Sequence, residues 1–340
     1  MQESPRRPAR SRDPEREALK DFNRRVAQRR APVQDVPLPR AVVRVGRRRR
    51  WRPGRGCFGC LGTLLVVLLI AALGLGLFGL IYSQALAQRG PVHVLILGID
   101  ERAQEQGPFR SDTMILAGFR PRERRVALLS IPRDLWVTIP GYGENRINTA
   151  HFWEGPALAK QTVAETFGLP VHYYVKLNFD AFVGIIDALG GIDVEVPEPL
   201  HDENYPTADY GVTTVDIPAG PQHFSGEEAL IYARSRYSTS DFDRARRQQD
   251  VIAAIRRRLL EPGAWVRFPA VARVVLNSVE TDMPQTEWLA LAVILLRAGD
   301  VERTVIGPDY VTPFMTSAGG EVLLPRWDLI NPVLMELFGY

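Results

Sequence analysis

The folded part of this chain predicts an α/β layered sandwich around a mixed sheet, preceded by one membrane-spanning helix. Three observations carry that reading. Compact runs of Val, Ile and Leu recur from Val92 to Ile131, short enough for strands and apolar enough to be buried on both faces. Segments apolar at helical spacing then alternate with further short strand-like runs up to Ile306. No charged residue occurs between Arg55 and Arg89.

Taken in order, Leu61–Tyr82 is long enough to cross a hydrocarbon core, which needs about 20 residues. It starts too late and runs too long for a cleavable signal peptide, so residues 57–82 read as an anchor. Val92–Ile99, Thr113–Phe119 and Val126–Ile131 read as strands. Gly155–Phe167 reads as a helix stopped by Gly168 and Pro170, and His172–Leu177 as a strand. Phe179, Phe182, Val183, Ile186 and Leu189 mark a helix that ends at Gly190-Gly191, before a strand over Ile192–Val196. Ser225 with Glu228 forms a capping-box pattern that starts another helix. A longer helix is expected from Asp243 to Leu260, stopped by Pro262-Gly263. Helix Thr286–Arg297 and strand Arg303–Ile306 complete the pattern.

The net charge of +3 over 340 residues hides an asymmetry. Residues 1–55 hold eighteen Lys/Arg against six Asp/Glu, so the rest of the chain is acidic. This Arg- and Pro-rich tail lacks apolar periodicity and is expected to be disordered. Arginines crowd the N-terminal side of the apolar stretch and Arg89 stands almost alone on the other, which puts residues 1–55 in the cytoplasm and residues 90–340 outside. Beside a span, such a tail serves topology and contact with anionic lipid, and no nucleic-acid partner is expected. The two cysteines, Cys57 and Cys60, adjoin the apolar run and read as small membrane residues, with lipidation as the other possibility; the outer domain folds without disulfides.

Polar clusters abut the apolar strands, in the place where α/β proteins bind ligands. The first strand ends at Asp100, Arg110-Ser111-Asp112 precede the second, and Arg133-Asp134 follow the third. Charges against buried strands cost desolvation unless they are paired or functional. Farther on, Arg244, Arg247, Gln248 and Val251 share one helix face that continues as Ile255 and Leu259, so a core-like stripe becomes cationic in its first turn. Arg234 and Arg236 cannot share a helix face, so at least one lies past a helix end. Arginine suits phosphate because its planar fork donates paired hydrogen bonds. Asp100 and Asp112 are a candidate pair for Mg²⁺, which takes one or two carboxylates and fills its shell with water and phosphate oxygens. The five histidines lack ligand spacing and read as structural or surface groups.

The ordered segments LGID, RSDTMIL, SIPRDLWV, NRINTAH, FDAFVGIIDALGGIDVEVP, GPQHFSGEEALIYARSR and DFDRARRQQDVI resemble the LytR-CpsA-Psr domain over roughly residues 92–260. The resemblance implies an α/β/α domain that binds a polyprenyl-pyrophosphate-linked glycan. It implies Mg²⁺ held by Asp100 and Asp112, with Arg110, Arg133, Arg234, Arg236 and Arg244 on the pyrophosphate beside Gln248. Arg247 falls in the same motif. His151, after Asn148-Thr149-Ala150, replaces a commoner aromatic. The expected reaction transfers the glycan phosphate to a peptidoglycan hydroxyl, with Asp112, Arg110 and Arg133 at the reacting phosphorus and either aspartate as base. Apolar strands are expected to line a tunnel for the lipid. Two alternatives stay open: hydrolysis at the same site, and a non-catalytic envelope regulator whose effector is the basic tail.

Overall fold

The computed structural model describes residues 56–339, except 89, 101–108, 208–210, 237–239 and 300, so the expected basic tail lies outside the described residues. The first described element is helix α1 (Gly56–Gln88), and the unit Gly62–Tyr340 is the subject of all that follows. Within α1, Val66–Ala85 is long and apolar enough to cross a membrane.

Fourteen strands are described. They are β1 (Val92–Ile99), β2 (Ser111–Arg120), β3 (Arg125–Ser130), β4 (Trp136–Ile139), β5 (Gly143–Arg146), β6 (Tyr173–Asn178), β7 (Ile192–Val196), β8 (Leu200–Pro206), β9 (Val212–Ile217), β10 (Gly220–Phe224), β11 (Glu280–Thr281), β12 (Val301–Val305), β13 (Val311–Met315) and β14 (Glu321–Pro325). The helices after α1 are α2 (Thr149–Phe167), α3 (Phe179–Leu189), α4 (Gly226–Arg234), α5 (Asp241–Leu260), α6 (Phe268–Ser278), α7 (Gln285–Arg297) and α8 (Trp327–Phe338).

The main sheet has the order β11-β6-β1-β2-β3-β12. β1 pairs antiparallel with β2 and parallel with β6, and β12 is parallel to β3, so the sheet is mixed as expected. The central strands bury alternate residues on opposite faces. Leu95, Leu97, Met114, Leu116 and Leu129 pack with α2 and α8, while Val92, Val94, Ile115 and Val126 pack with α7. Helices α3 to α5 gather a third cluster around Tyr232 and Val251. Layers of helix on both faces make an α/β/α sandwich.

Several elements match the sequence reading residue for residue, including β1, α3 and β7. Ser225 caps α4 with the full reciprocal box to Glu228, and Ser240 does the same for α5 with Asp243, which starts that helix two residues before the expected Asp243. Helix α2 also begins early, at Thr149, because two helices meet at a kink. Gly155 sits at φ 68°, and the second segment starts at Gly155-Pro156 as the sequence predicts.

His93 is fully buried, its Nδ1–H donating to the Pro170 carbonyl at 2.7 Å, with its ring perpendicular to that of Phe338. Burial pushes its pKa from 6.5 down to about 4, the Pro170 contact only partly offsetting this. The unfolded chain therefore binds a proton between pH 6.5 and 4 that the folded one refuses. His93 thus withdraws about 3 kcal/mol of stability as pH falls through that window. Denaturant midpoints measured from pH 7.5 to 4.5 should fall less steeply for His93→Gln than for the wild type; equal slopes would refute the assignment.

Candidate active site

All the polar strand ends noted in the sequence meet at one end of the sheet. Asp100 follows β1, Asp112 is the second residue of β2, and Arg133 lies just beyond β3. Antiparallel pairing brings the start of β2 beside the end of β1, where the register shifts between Gly98 and Ile99. Gly98 is required here: a Cβ would come 2.9 Å from Cβ of Thr113. α4 ends and α5 begins at the same place, delivering Arg234 and Arg244.

The cations interleave with carboxylates. Arg133 donates from Nη1 to Oδ1 of Asp112 at 2.7 Å, and its other nitrogens lie 3.4 Å from Asp134 and 3.6 Å from Asp241. Burial works against its charge, but the bond to Asp112 and the charges of Asp241, Asp112 and Asp134 outweigh it and push the pKa up. Arg234 reaches Oδ2 of Asp100 at 3.2 Å and lies 4.1 Å over the Phe179 ring. Arg244 is 8% exposed and donates to the backbone oxygen of Asp112 at 3.3 Å. Burial, helped by the neighbouring cations Arg133 and Arg236, pushes its pKa down against the pull of Asp241 and Asp112. Arg236 lies exposed past the end of α4, its backbone nitrogen held by Asp202 at 3.2 Å. Arg110 stands 5.8 Å over the Phe152 ring at the far rim.

Three cavities join at this cluster. An apolar one of about 420 Å³ runs along the α7 face of the sheet, from Arg234, Gln248 and Thr113 down to Trp288 and Leu295. A second, about 640 Å³, shares Gln248 and Thr113 with it and adds Asp112, Arg133 and Arg244. A third, about 430 Å³, shares Asp112 and Arg133 with the second and adds Asp100, Arg110 and Asn148. The side-chain oxygen of Asn148 is buried on that wall with no hydrogen-bond partner among the described residues.

Arg247 corrects the sequence reading. It is on the same helix face as Arg244 but lines none of these three cavities. Its guanidinium is buried and donates to the carbonyls of Tyr232 (3.0 Å) and Ser235, bracing the end of α4. Helical spacing places residues on a face without saying how deep each side chain lies. The sequence reading placed Asp134 in a polar cluster without giving it a role, and gave none to Asp241 or to Arg146, which lies 3.4 Å from Asp134 and lines both polar cavities with it. The one signal for Arg146 was its place inside the NRINTAH segment.

Asp100 and Asp112 line the same cavity, and its donors are oxygens, without Cys or a ligand-spaced His. Among the described residues no group of three or more His, Cys, Asp or Glu forms a closed metal cage. Two carboxylates with open cavity between them suit a hard cation that completes its shell with water and phosphate oxygens, so the residues present fit Mg²⁺.

The LytR_cpsA_psr family model matches residues 81–306. The chain is 35% identical over 209 residues to the polyisoprenyl-teichoic acid–peptidoglycan teichoic acid transferase TagU of Oceanobacillus iheyensis, covering 59% of this chain and 62% of TagU. It is 29% identical over 299 residues to the probable cell wall biosynthesis protein LcpB of Corynebacterium glutamicum, covering 79% of this chain and 70% of LcpB. The solved structure of TagT bound to LIIa-WTA superposes with a TM-score of 0.61 at 26% identity, covering 75% of this chain and 93% of that one. The chain thus spans less than two thirds of the length of TagU.

Removing Arg244 deletes a charge-assisted donor from a crowded cationic cavity, whereas removing Arg247 leaves two buried carbonyls unpaired. Arg244→Ala should weaken binding of a lipid-pyrophosphate analogue at least about tenfold, given about 1.5–3 kcal/mol per such contact, with little change in Tm. Arg247→Ala should mainly lower Tm. Arg246, exposed and paired with Asp243 at 2.7 Å, is the control and should tolerate alanine. Calorimetry and thermal melts on the three variants decide it; equal binding losses for Arg244→Ala and Arg246→Ala would sink the assignment.

Proposed function

The chain belongs to the LytR_cpsA_psr family, and from that premise we propose that it is a phosphotransferase that moves a glycopolymer from a polyprenyl-pyrophosphate carrier to a peptidoglycan hydroxyl, forming a phosphodiester. The observation that carries this reading is the junction of an apolar cavity with an arginine-bearing polar one at Thr113 and Gln248, beside Arg234. That junction has the shape of the carrier: hydrocarbon on one side, pyrophosphate at the mouth, glycan beyond. The names of TagU and the bound state of TagT support the same class of substrate.

Arg234, Arg244 and Arg133 bind the pyrophosphate, with Arg236 adding to the field and Gln248 donating at the neck. Each exchanges contacts with aspartate for stronger contacts with phosphate oxygens as negative charge grows in the transition state. The acceptor sugar enters on the side of Arg110, Asn148 and Phe152, opposite the lipid. Its hydroxyl oxygen attacks the phosphorus next to the glycan, and the bond from that phosphorus to the bridging oxygen breaks. Polyprenyl phosphate leaves with that electron pair, and the hydroxyl proton passes to a carboxylate of the Asp100/Asp112 pair. Mg²⁺, when held by these two aspartates, supplies positive charge to the pyrophosphate oxygens. Arg110 and Arg133 steady the transferring phosphoryl group, a task of positioning and charge rather than covalent catalysis.

Purified full chain incubated with a synthetic lipid-pyrophosphate sugar should release polyprenyl phosphate only slowly until a peptidoglycan oligomer is added. A sugar phosphodiester should form in step with the release. Chelating Mg²⁺ should cut the rate at least about tenfold. Release that ignores the oligomer would mean hydrolysis, and no release under any condition would mean a binding protein.

Localisation follows from α1 as a span, with the N-terminus cytoplasmic and residues 90–340 on the side of the wall. A phosphatase reporter fused after Tyr340, active only outside the cytoplasm, should be active; an inactive but stable fusion would reverse the orientation.

A further inference from the structure

The opposite end of the sheet from the polar cluster is where α1 leaves the domain, and it has its own charge pattern. The last turns of α1 pack on α7: a Cβ on Gly79 would lie 3.1 Å from Cγ2 of Val293 and 3.4 Å from Cγ of Leu289. Around that exit is a cavity of about 330 Å³ lined by Ser83 and Gln84 of α1, by Arg122 and Arg124 of the β2–β3 turn, and by Arg297 at the end of α7.

The arginines nearby sort into two kinds. Arg120 and Arg125, in the same hairpin, pair with Glu123 and Glu302. Arg122, Arg124 and Arg297 are exposed, and none of the three has an ion pair among the described residues. Arg124 also holds φ at 54°, a left-handed conformation that a glycine or asparagine would adopt more readily. The Arg124 carbonyl accepts from the Gly299 N–H at 3.2 Å, which ties this turn to the end of α7 beside the emerging helix.

The same end exposes apolar surface. Arg256 of α5 donates to the carbonyls of Leu295, Ala298 and Gly299, so the C-terminal end of α5 lies beside that of α7. The short 3-10 helix that follows, Pro262–Arg267, leaves Trp265 61% and Val266 83% exposed. Tryptophan beside cations is the composition of a surface that sits at the level of lipid headgroups.

We propose that this end of the domain docks on the bilayer, with Arg122, Arg124 and Arg297 binding anionic lipid headgroups around the exit of α1 and Trp265 and Val266 entering the interface beside them. This rests on α1 being a span and is independent of the transfer reaction. Continuity with α1 fixes which surface the lipid meets. The sign and spacing of the unpaired cations fix its charge.

The test uses the full chain in nanodiscs of phosphatidylglycerol or phosphatidylcholine, with amide hydrogen exchange read over residues 121–125 and 262–267. Exchange at 121–125 should be about fivefold slower in the anionic discs, the gain of a single surface arginine near such lipid. The difference should shrink at high salt. The triple variant Arg122→Gln/Arg124→Gln/Arg297→Gln should lose it while β1 stays as protected as in the wild type, which shows that the variant is folded. Equal exchange in the two discs, or a difference that survives in the folded triple variant, overturns the docking alone. A chain that fails to co-elute with either disc overturns the span as well.

Discussion

Arginines gathered at one end of the sheet repel one another, and the ion pair between Arg133 and Asp112 is what makes their gathering tolerable. Asp112 sits near the start of a central strand, at the register shift between Ser111 and Thr113, whose pairing with Ile99 and Gly98 of β1 fixes its place. From there its carboxylate holds Arg133 and its carbonyl receives Arg244. Arg133 in turn lies within ion-pair distance of Asp134 and Asp241. The opposite pKa directions of Arg133 and Arg244 express the same arrangement: around Arg133 the carboxylates outweigh burial, whereas around Arg244 burial outweighs the pull of Asp241 and Asp112. A ligand phosphate therefore finds donors already aimed and partly desolvated, with aspartates to relinquish them.

Much of this was legible in the sequence, for identifiable reasons. Strands buried on both faces leave unbroken apolar runs, and β1 and β7 could be read to the residue. Gly190-Gly191, both at positive φ, ends α3 where the apolar spacing ends. Asp100, Asp112, Arg133 and Arg244 stand where apolar pattern meets charge, and all four came together. The β4–β5 and β13–β14 hairpins, α6 and α8 were missed. Their strands are only four or five residues long and α6 has no fully buried residue, whereas α8 buries Ile330, Leu334, Leu337 and Phe338 at helical spacing, a signal that was present and not used. Arg247 was misplaced because two arginines three residues apart on one face carry the same sequence signature whether they end in a cavity or on a carbonyl. Arg146 and Asp134 meet across a hairpin that the sequence did not announce.

The charge count around the span also gains meaning from the fold. Arg122, Arg124 and Arg297 are distant from α1 in the chain and reach its exit only when the domain has folded. The proposed topology is set by residues near the ends of the span, so it does not conflict with the proposed cationic outer face.

Helix α7 has two jobs at once: Leu289 and Val293 receive α1, and Trp288, Leu291 and Leu295 wall the apolar cavity. Three residues separate Gln88 from Val92, so the domain is mounted on its helix like a lamp on a post, without slack. A swinging tether would sample many heights and orientations. On the proposed function, a fixed mount leaves a lipid-linked substrate only the plane of the bilayer to search, and the cavity meets it at constant height.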